Sequence, residues 1–404
     1  MKKSVCILYV FSVLFILSCQ TNERNVDPDP TGPQGLTDGR LILSGQDKLI
    51  DPNCYFINVN TTNGAVVSQG LYRGKCIYVL SDGSDVFYAS SINTSGLAMS
   101  SGAKDSLYTY DIITGSKVLA KAFNVQSGST ILHGNYLYKD SAGTIICYDV
   151  NTFNIVWEKR ITNMDYTTLN PLFNDNNNIY HTTLDSFFAL SLTSGNISWK
   201  RSFRSSYNTY IDNNSLVLYS DEPGVTHTIS SINKTNGNTN WSRSGCDEDL
   251  IPIHINNNRV FVKTGSTTYD LIDINTGNNV WSINYTGKIY SYAIADNKIF
   301  TLSDSARVKS YNLSDGSPVN SSASLESFIT NSHKAGFQFL MIAADTAIIF
   351  NTFTKIYALG RNSLNVIWSM NKPNADPSIG TFFTNMQLRL RDSVYYSNGL
   401  KVHK

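Results

Sequence analysis

Residues 269–281 read YDLIDINTGNNVW: an apolar-rich run, the turn-forming stretch Asp273-Ile274-Asn275-Thr276-Gly277, and a short run that ends in Trp281. The same arrangement recurs along the chain. Its turns read NTTNG (60–64), DIITG (111–115), DVNTF (149–153), SLTSG (191–195), NKTNG (233–237), DINTG (273–277), NLSDG (312–316) and GRNSL (360–364). Four residues after each turn lies one slot, occupied in order by Ser68, Leu119, Trp157, Trp199, Trp241, Trp281, Asn320 and Trp368. All 5 tryptophans of the chain stand in these slots. The slots recur about every forty residues, the length of one four-stranded propeller blade.

Each unit has the same internal logic. In NNIYHTTLDSFFALSLTSGNISW (177–199), two runs of apolar β-formers flank a polar turn, and SLTSG reverses the chain into a last strand ending at Trp199. Asp, Asn or Ser at the first turn position can accept a bond from the backbone two residues on, and Gly at the fifth supplies a positive φ. Two copies place Phe153 and Leu364 where the others have Gly, each followed by Asn. A bulky residue at positive φ is costly and Asn tolerates it, so the left-handed position is expected to pass to Asn154 and Asn365. Because the tryptophans recur at the period of the fold, they are assigned to packing between neighbouring blades, not to a ligand shelf.

Composition agrees with an all-β chain: aromatics reach 12% with 23 Tyr and 19 Phe, and charged residues only 16%. A formal net charge of +1 supplies no broad field for nucleic acid. The start, MKKSVCILYVFSVLFILSC, has two lysines, an apolar stretch from Cys6 to Leu17, and Ser18-Cys19. It is too short for a membrane-spanning helix and fits a signal peptide over residues 1–18. Ile16-Leu17-Ser18-Cys19 is similar to a bacterial lipobox, which makes Cys19 the expected lipidation site. Gln20 in place of Asp points to the outer membrane rather than retention at the inner one. Residues 19–39 are polar and rich in Pro and Gly, a flexible tether, and the folded domain is expected over 40–404. Of the remaining thiols, Cys54, Cys76 and Cys246 permit but do not imply disulfides, and Cys147 within IICYDV reads as a core residue.

A search for chemistry returns little. His133, His181, His227, His254, His333 and His403 are scattered without metal-ligand spacing. The acidic run Asp247-Glu248-Asp249 lacks the spaced pattern of a calcium loop and reads as a solvated connection, and 174–178 reads as a turn. No P-loop, dinucleotide fingerprint or serine elbow is present. No catalytic, metal or cofactor site is assigned.

The apolar strand, D-x-x-T-G turn and Trp together resemble the pyrroloquinoline-quinone-like repeat, over most of residues 54–404. Within that superfamily the chain is similar to the non-enzymatic branch that includes the barrel-assembly-machinery lipoprotein. The quinoprotein dehydrogenases of the superfamily imply a vicinal cysteine pair, and this chain has no adjacent cysteines. The resemblance implies a β-propeller of four-stranded antiparallel blades, eight by slot count with seven as the alternative, closed by N- and C-terminal strands. The tail 386–404 lacks a following turn and Trp, while 54–68 offers a turn with too little strand before it, so each end supplies what the other lacks. Both CYFINV and LKVHK qualify as a third blade strand. The functional expectation is a lipid-anchored protein-binding scaffold that docks another envelope protein. The alternatives are a surface glycan-binding or glycan-processing propeller and, behind it, a quinone-dependent oxidoreductase.

Overall fold

The computed structural model describes residues 39–402 except 47–52, 74, 82–85, 93–103, 112–116, 125–129, 142, 162–171, 184, 204–208, 212–213, 221–226, 247–253, 257, 304–305, 326–339, 345, 353–354, 373–381, 391–392 and 397–400. All regular structure among them is antiparallel β-sheet. Seven sheets of four strands follow one another along the chain, over 75–124, 130–160, 173–202, 209–246, 254–284, 289–321 and 341–371. A six-stranded closing sheet joins the two ends of the chain. Its order is Val66–Arg73, Asn53–Asn60, Arg40–Gln46, Phe382–Leu390, Ser393–Tyr396, Lys401–Val402.

First strands of successive sheets adjoin one another and mark the inside of the ring, with Phe382–Leu390 taking the inner position in the closing sheet. Arg40–Gln46 pairs with it antiparallel, so the ring is closed by backbone hydrogen bonds between the two ends. The strand expected to be missing before the 60–64 turn is therefore Arg40–Gln46. Asn53–Asn60 is the third strand of that sheet, and Lys401–Val402 is its far edge.

Among the described residues the core is divided between sheets. Apolar side chains fill the gap between adjoining sheets from the second round to the closing one, as with Tyr180, Phe187 and Trp199 against Leu216, Leu218 and Ile232, or Ile349 and Trp368 against Leu41, Leu43 and Val59. Burying both faces of each sheet is what lets its second and third strands read as continuous apolar runs.

The repeated turn supplies the contact between sheets. Its fifth residue donates its N–H to the carbonyl of the first, as from Gly237 to Asn233 at 2.9 Å and from Gly277 to Asp273 at 2.8 Å. An Asx bond stiffens the start, with Thr235 N–H on Asn233 Oδ1 at 2.8 Å and Asn275 N–H on Asp273 Oδ1 at 2.9 Å. The second residue then has both backbone groups committed. Ile274 N–H donates within its sheet to Asn258, and its carbonyl accepts the indole N–H of Trp241 from the preceding sheet.

The same indole-to-carbonyl bond runs from Trp157 to Leu192 (3.0 Å), Trp199 to Lys234 (2.7 Å), Trp281 to Leu313 (2.8 Å) and, across the closure, Trp368 to Thr61 (2.8 Å). Each indole also lies flat against the glycine of the turn it bonds. A Cβ on Gly195, Gly237, Gly277, Gly316 or Gly64 would come within 2.5–2.8 Å of the ring. Glycine is thus required twice over, for a φ near +70° and for the room its missing side chain leaves.

The two turns without glycine overturn one expectation. Phe153 (φ 55°) and Leu364 (φ 54°) hold the left-handed position themselves, and Asn154 and Asn365 do not. The turn's hydrogen bonds fix that position: Phe153 N–H bonds the Asp149 carbonyl, while the Asn154 carbonyl must accept from Asp149 N–H, closing the hairpin. At Leu364 a side chain fits because the slot facing that turn holds Asn320 instead of Trp. Leu364 fills the space from its own side, buried against Val308 and Leu359, and Asn320 Nδ2 donates to the Asn362 carbonyl at 3.0 Å.

The double role of glycine gives a clean comparison. Gly237→Ala and Gly134→Ala both place alanine at positive φ, but only the first meets an indole, with nothing within 4 Å of the added Cβ at position 134. Chemical denaturation should show Gly134→Ala costing about 1 kcal/mol from backbone strain alone. Gly237→Ala should cost about 2 kcal/mol more, the overpacking term, and Trp199→Leu in the same chain should recover most of that excess. Equal losses at the two glycines would mean that the indole contact contributes nothing.

Candidate interaction surface

The strand after each turn is the outer edge of its sheet, and its register slips by one residue at the slot. Cys147 pairs with Trp157 but Tyr148 with Ile155, which leaves Val156 unpaired, and Ser198, Asn240, Val280, Val319, Ile367 and Val67 are skipped in the same way. In the first sheet the slip falls one residue past the slot, at Ala120. A bulge of this kind bends and twists the edge strand. Here the slot residue turns toward the next sheet while the two residues before it stay on the rim.

Those two rim positions are not uniform around the ring. They carry Val66 and Val67, Ile155 and Val156, Ile197, Val319, and Val366 and Ile367, all exposed, with Ile155 at 54% and Ile367 at 51%. The fourth sheet has Thr239 and Asn240 there, and the fifth has Asn279 with a half-buried Val280. Exposed aliphatic residues are therefore gathered on the sixth, seventh and closing sheets and on the second and third, while the fourth and fifth are polar there. A gathered set of apolar residues on a folded protein marks an interaction site more often than scattered single residues do. On the polar side of the ring, Arg201 Nη1 donates to the Gly237 carbonyl at 2.8 Å and to Thr239 Oγ1 at 3.0 Å. Arg243 repeats the latch on Asn279 and also pairs with Asp270 at 3.4 Å. Rim polar groups on that side are thus engaged in holding sheets together.

At the end where the turns gather, ion pairs link the third sheet to the fourth, Lys234 Nζ with Asp175 Oδ2 at 3.1 Å, and the sixth to the seventh, Arg361 Nε with Asp296 Oδ2 at 3.1 Å. Asp175 also accepts from Asn177 and Asn178 N–H, both at 2.8 Å, and from the Tyr180 hydroxyl. Burial opposes its charge, and these bonds together outweigh burial and hold its carboxyl below the usual carboxylate range. The polar segment 174–178 is thus a turn, as its sequence suggests.

One titratable pair is fully enclosed between the second and third sheets. His181, 1% exposed, has Nε2 3.5 Å from Asp140 Oδ2, and its Nδ1 has no hydrogen-bond partner. Burial draws the His181 pKa down to about 4. Burial also pushes Asp140 up to about 6, against the opposing effect of the Gly143 N–H bond and nearby Lys139. No sequence pattern announced this pair, because YLYKDS reads as a strand running out into solvent. Enclosed as it is, the pair cannot meet a substrate.

The remaining sequence candidates do not assemble. His133 Nδ1 lies 2.9 Å from Asn174 Nδ2, in a hairpin contact between sheets. His227 and His254 begin strands whose neighbouring side chains are not described, and His333, His403, Asp247-Glu248-Asp249 and Cys19 lie outside the described residues. Cys147 is a free buried thiol, as read from its apolar run, with its pKa raised to about 11 by burial. It is no nucleophile at neutral pH. Among the described residues no group of three or more His, Cys, Asp or Glu could hold a metal ion.

Comparison with known proteins places the fold. A family model described as outer membrane protein assembly factor BamB matches residues 225–381. Among solved structures, BamB from Moraxella catarrhalis matches with a TM-score of 0.52 at 13% identity, covering 80% of this chain and 94% of that one. Apo AztD from Citrobacter koseri gives 0.58 at 9% identity, covering 87% and 98%. The C-terminal WD40 domain of Sif2 gives 0.53 at 10%, covering 77% and 94%. No curated protein matches the sequence. The chain is a β-propeller, similar in fold to BamB, and its likeness to the BamB family model spans residues 225–381.

The enclosed pair makes its own pH signature. His181 has a folded pKa below its unfolded value of 6.5, so its contribution to stability is complete above that value and is lost as pH falls toward 4. Asp140 has a folded pKa above its unfolded value of 3.8, so its contribution is complete below 3.8 and is lost as pH rises through about 6. Between pH 4 and 6 the two slopes oppose each other. Asp140→Asn should therefore lose on the order of 1–2 kcal/mol between pH 7 and 5 in urea titrations, relative to the parent chain. His181→Gln should gain over the same interval. Parallel pH profiles for the two variants would contradict the opposite shifts that burial imposes on the two groups.

Proposed function

We propose that the chain is a lipid-anchored cell-envelope propeller of eight blades, acting as a non-enzymatic scaffold that binds another envelope protein, with outer-membrane protein assembly as its setting. The observation that carries this reading is the set of exposed aliphatic residues on the outer strands, at Val66, Val67, Ile155, Val156, Ile197, Val319, Val366 and Ile367. Protein partners bury such residues in the dry centre of an interface, where a few of them supply most of the binding energy. The BamB likeness supports the same class of role. Residues 1–18 act in this reading as a lipoprotein signal, Cys19 carries the lipid, 19–39 tether the propeller, and 40–404 form one domain.

Photo-crosslinking in the native cell tests the scaffold reading. A crosslinker at position 155 or 367 should capture one envelope protein, and the same group at position 279 on the polar side should not. Ile155→Lys with Ile367→Lys should abolish capture while changing stability by no more than about 0.5 kcal/mol for each exposed substitution. Equal capture from position 279 would remove the basis of the proposal. The anchor is tested separately: Cys19→Ala should move the protein out of the membrane fraction, and unchanged partition would refute lipidation at Cys19.

A further inference from the structure

The closing sheet has two strands more than any other, and their place in the order sets them apart. Its inner position is held by Phe382–Leu390, which adjoins Met341–Ala343 on one side and Lys75–Ser81 on the other, the inner strands of the neighbouring sheets. One edge of Phe382–Leu390 is taken by Arg40–Gln46, running outward to the rim. Its opposite edge faces the ring axis, and there the chain doubles back: Ser393–Tyr396 pairs antiparallel with Gln387–Leu390, and Lys401–Val402 pairs in turn with Val394 and Tyr395. Among the described residues no strand pairs with that axial edge in the seven four-stranded sheets.

We infer that the two C-terminal strands, Ser393–Tyr396 and Lys401–Val402, are a built-in stopper on the axial side of the ring. They complete the inner edge of Phe382–Leu390 with a hairpin of the chain's own, and an extended polypeptide can take that edge only by displacing it. The chemistry recognised is that of a β-strand, since an unpaired edge offers alternating N–H and C=O groups to any extended backbone. Tethering gives the hairpin an effective concentration on the order of millimolar at the edge, so an outside strand of equal intrinsic affinity competes poorly until the hairpin is loosened. Ring closure does not depend on it, because the pairing of Arg40–Gln46 with Phe382–Leu390 uses the other edge. This site is separate from the rim and goes beyond the scaffold reading.

The test uses the full chain and its Val394→Pro variant. Val394 is paired on both sides, with Arg389 and with Val402; proline removes the one ladder bond that its N–H makes, and its ring crowds the strand. Hydrogen exchange should show the amides of 394–396 protected in the parent chain, and those of 387–390 exchanging at least tenfold faster in the variant, with 40–46 unchanged. A labelled peptide of residues 393–404, SVYYSNGLKVHK, should bind the variant at least tenfold more tightly than the parent chain. Unprotected amides at 394–396 in the parent chain would overturn the inference. So would equal peptide binding to both chains, or none to a folded variant. Should the variant fail to fold, exchange at 394–396 and 387–390 in the parent chain decides alone.

Discussion

An indole laid on a glycine of the next sheet is the contact on which the ring depends. It combines three effects that are separately modest. The ring buries a large apolar surface, its N–H satisfies a carbonyl that would otherwise be enclosed and unpaired, and the missing side chain of glycine lets the two come into contact. The carbonyl belongs to a residue whose N–H is already bonded inside its own sheet, as Ile274 is to Asn258. Each lock therefore clamps a turn that is already rigid. A sheet cannot shift relative to its neighbour without breaking that bond and opening the contact between indole and glycine.

The same contact explains why the chain departs from its own pattern where it does. Where the slot is Trp, the facing turn ends in Gly; where the slot is Leu119 or Asn320, the next turn along the chain ends in Phe153 or Leu364. The partners lie in different sheets, far apart in sequence, so a turn read on its own cannot show the dependence. Judged by local rules, a bulky residue at positive φ is an error to be relieved by the next Asn. Judged across the interface, Leu364 is a space-filling group whose strain is offset by burial in an apolar cluster. The hairpin's hydrogen bonds leave no alternative position for it.

What was legible in the sequence follows from this hierarchy. The turns, the strand runs and the Trp slots repeat with short-range signatures, and the ring that they imply is the ring observed. The strand Arg40–Gln46 was missed as the partner of the 60–64 turn because its RLILSGQ is followed by no turn-and-Trp signature of its own. The bulge beside each slot was not visible either, since a two-against-one register leaves no mark on residue type. Without the bulge, Ile155 and Val156 read as ordinary strand residues, and the exposed set cannot be separated from the buried runs. The enclosed His181 and Asp140 were hidden for a different reason: each is polar at a strand end, and only the stacking of two sheets removes the water.

These features bear unequally on function because they differ in what they leave free. Turns that accept indoles, Arg201 and Arg243 on the neighbouring rim, and the Lys234 and Arg361 ion pairs are all engaged in joining sheets. A ligand that used them would compete with the closure of the ring. The aliphatic rim residues make no such contribution, since roughly half of each side chain remains in water after folding. Their exposure carries a solvation cost that folding alone does not relieve, and it falls unevenly, absent from the fourth sheet and strongest in the second and seventh. If packing alone had set the composition of the rim, the same bulge in every sheet would have carried similar residues. That it does not is the physical ground for assigning the apolar rim residues, and not the repeated turns, to recognition.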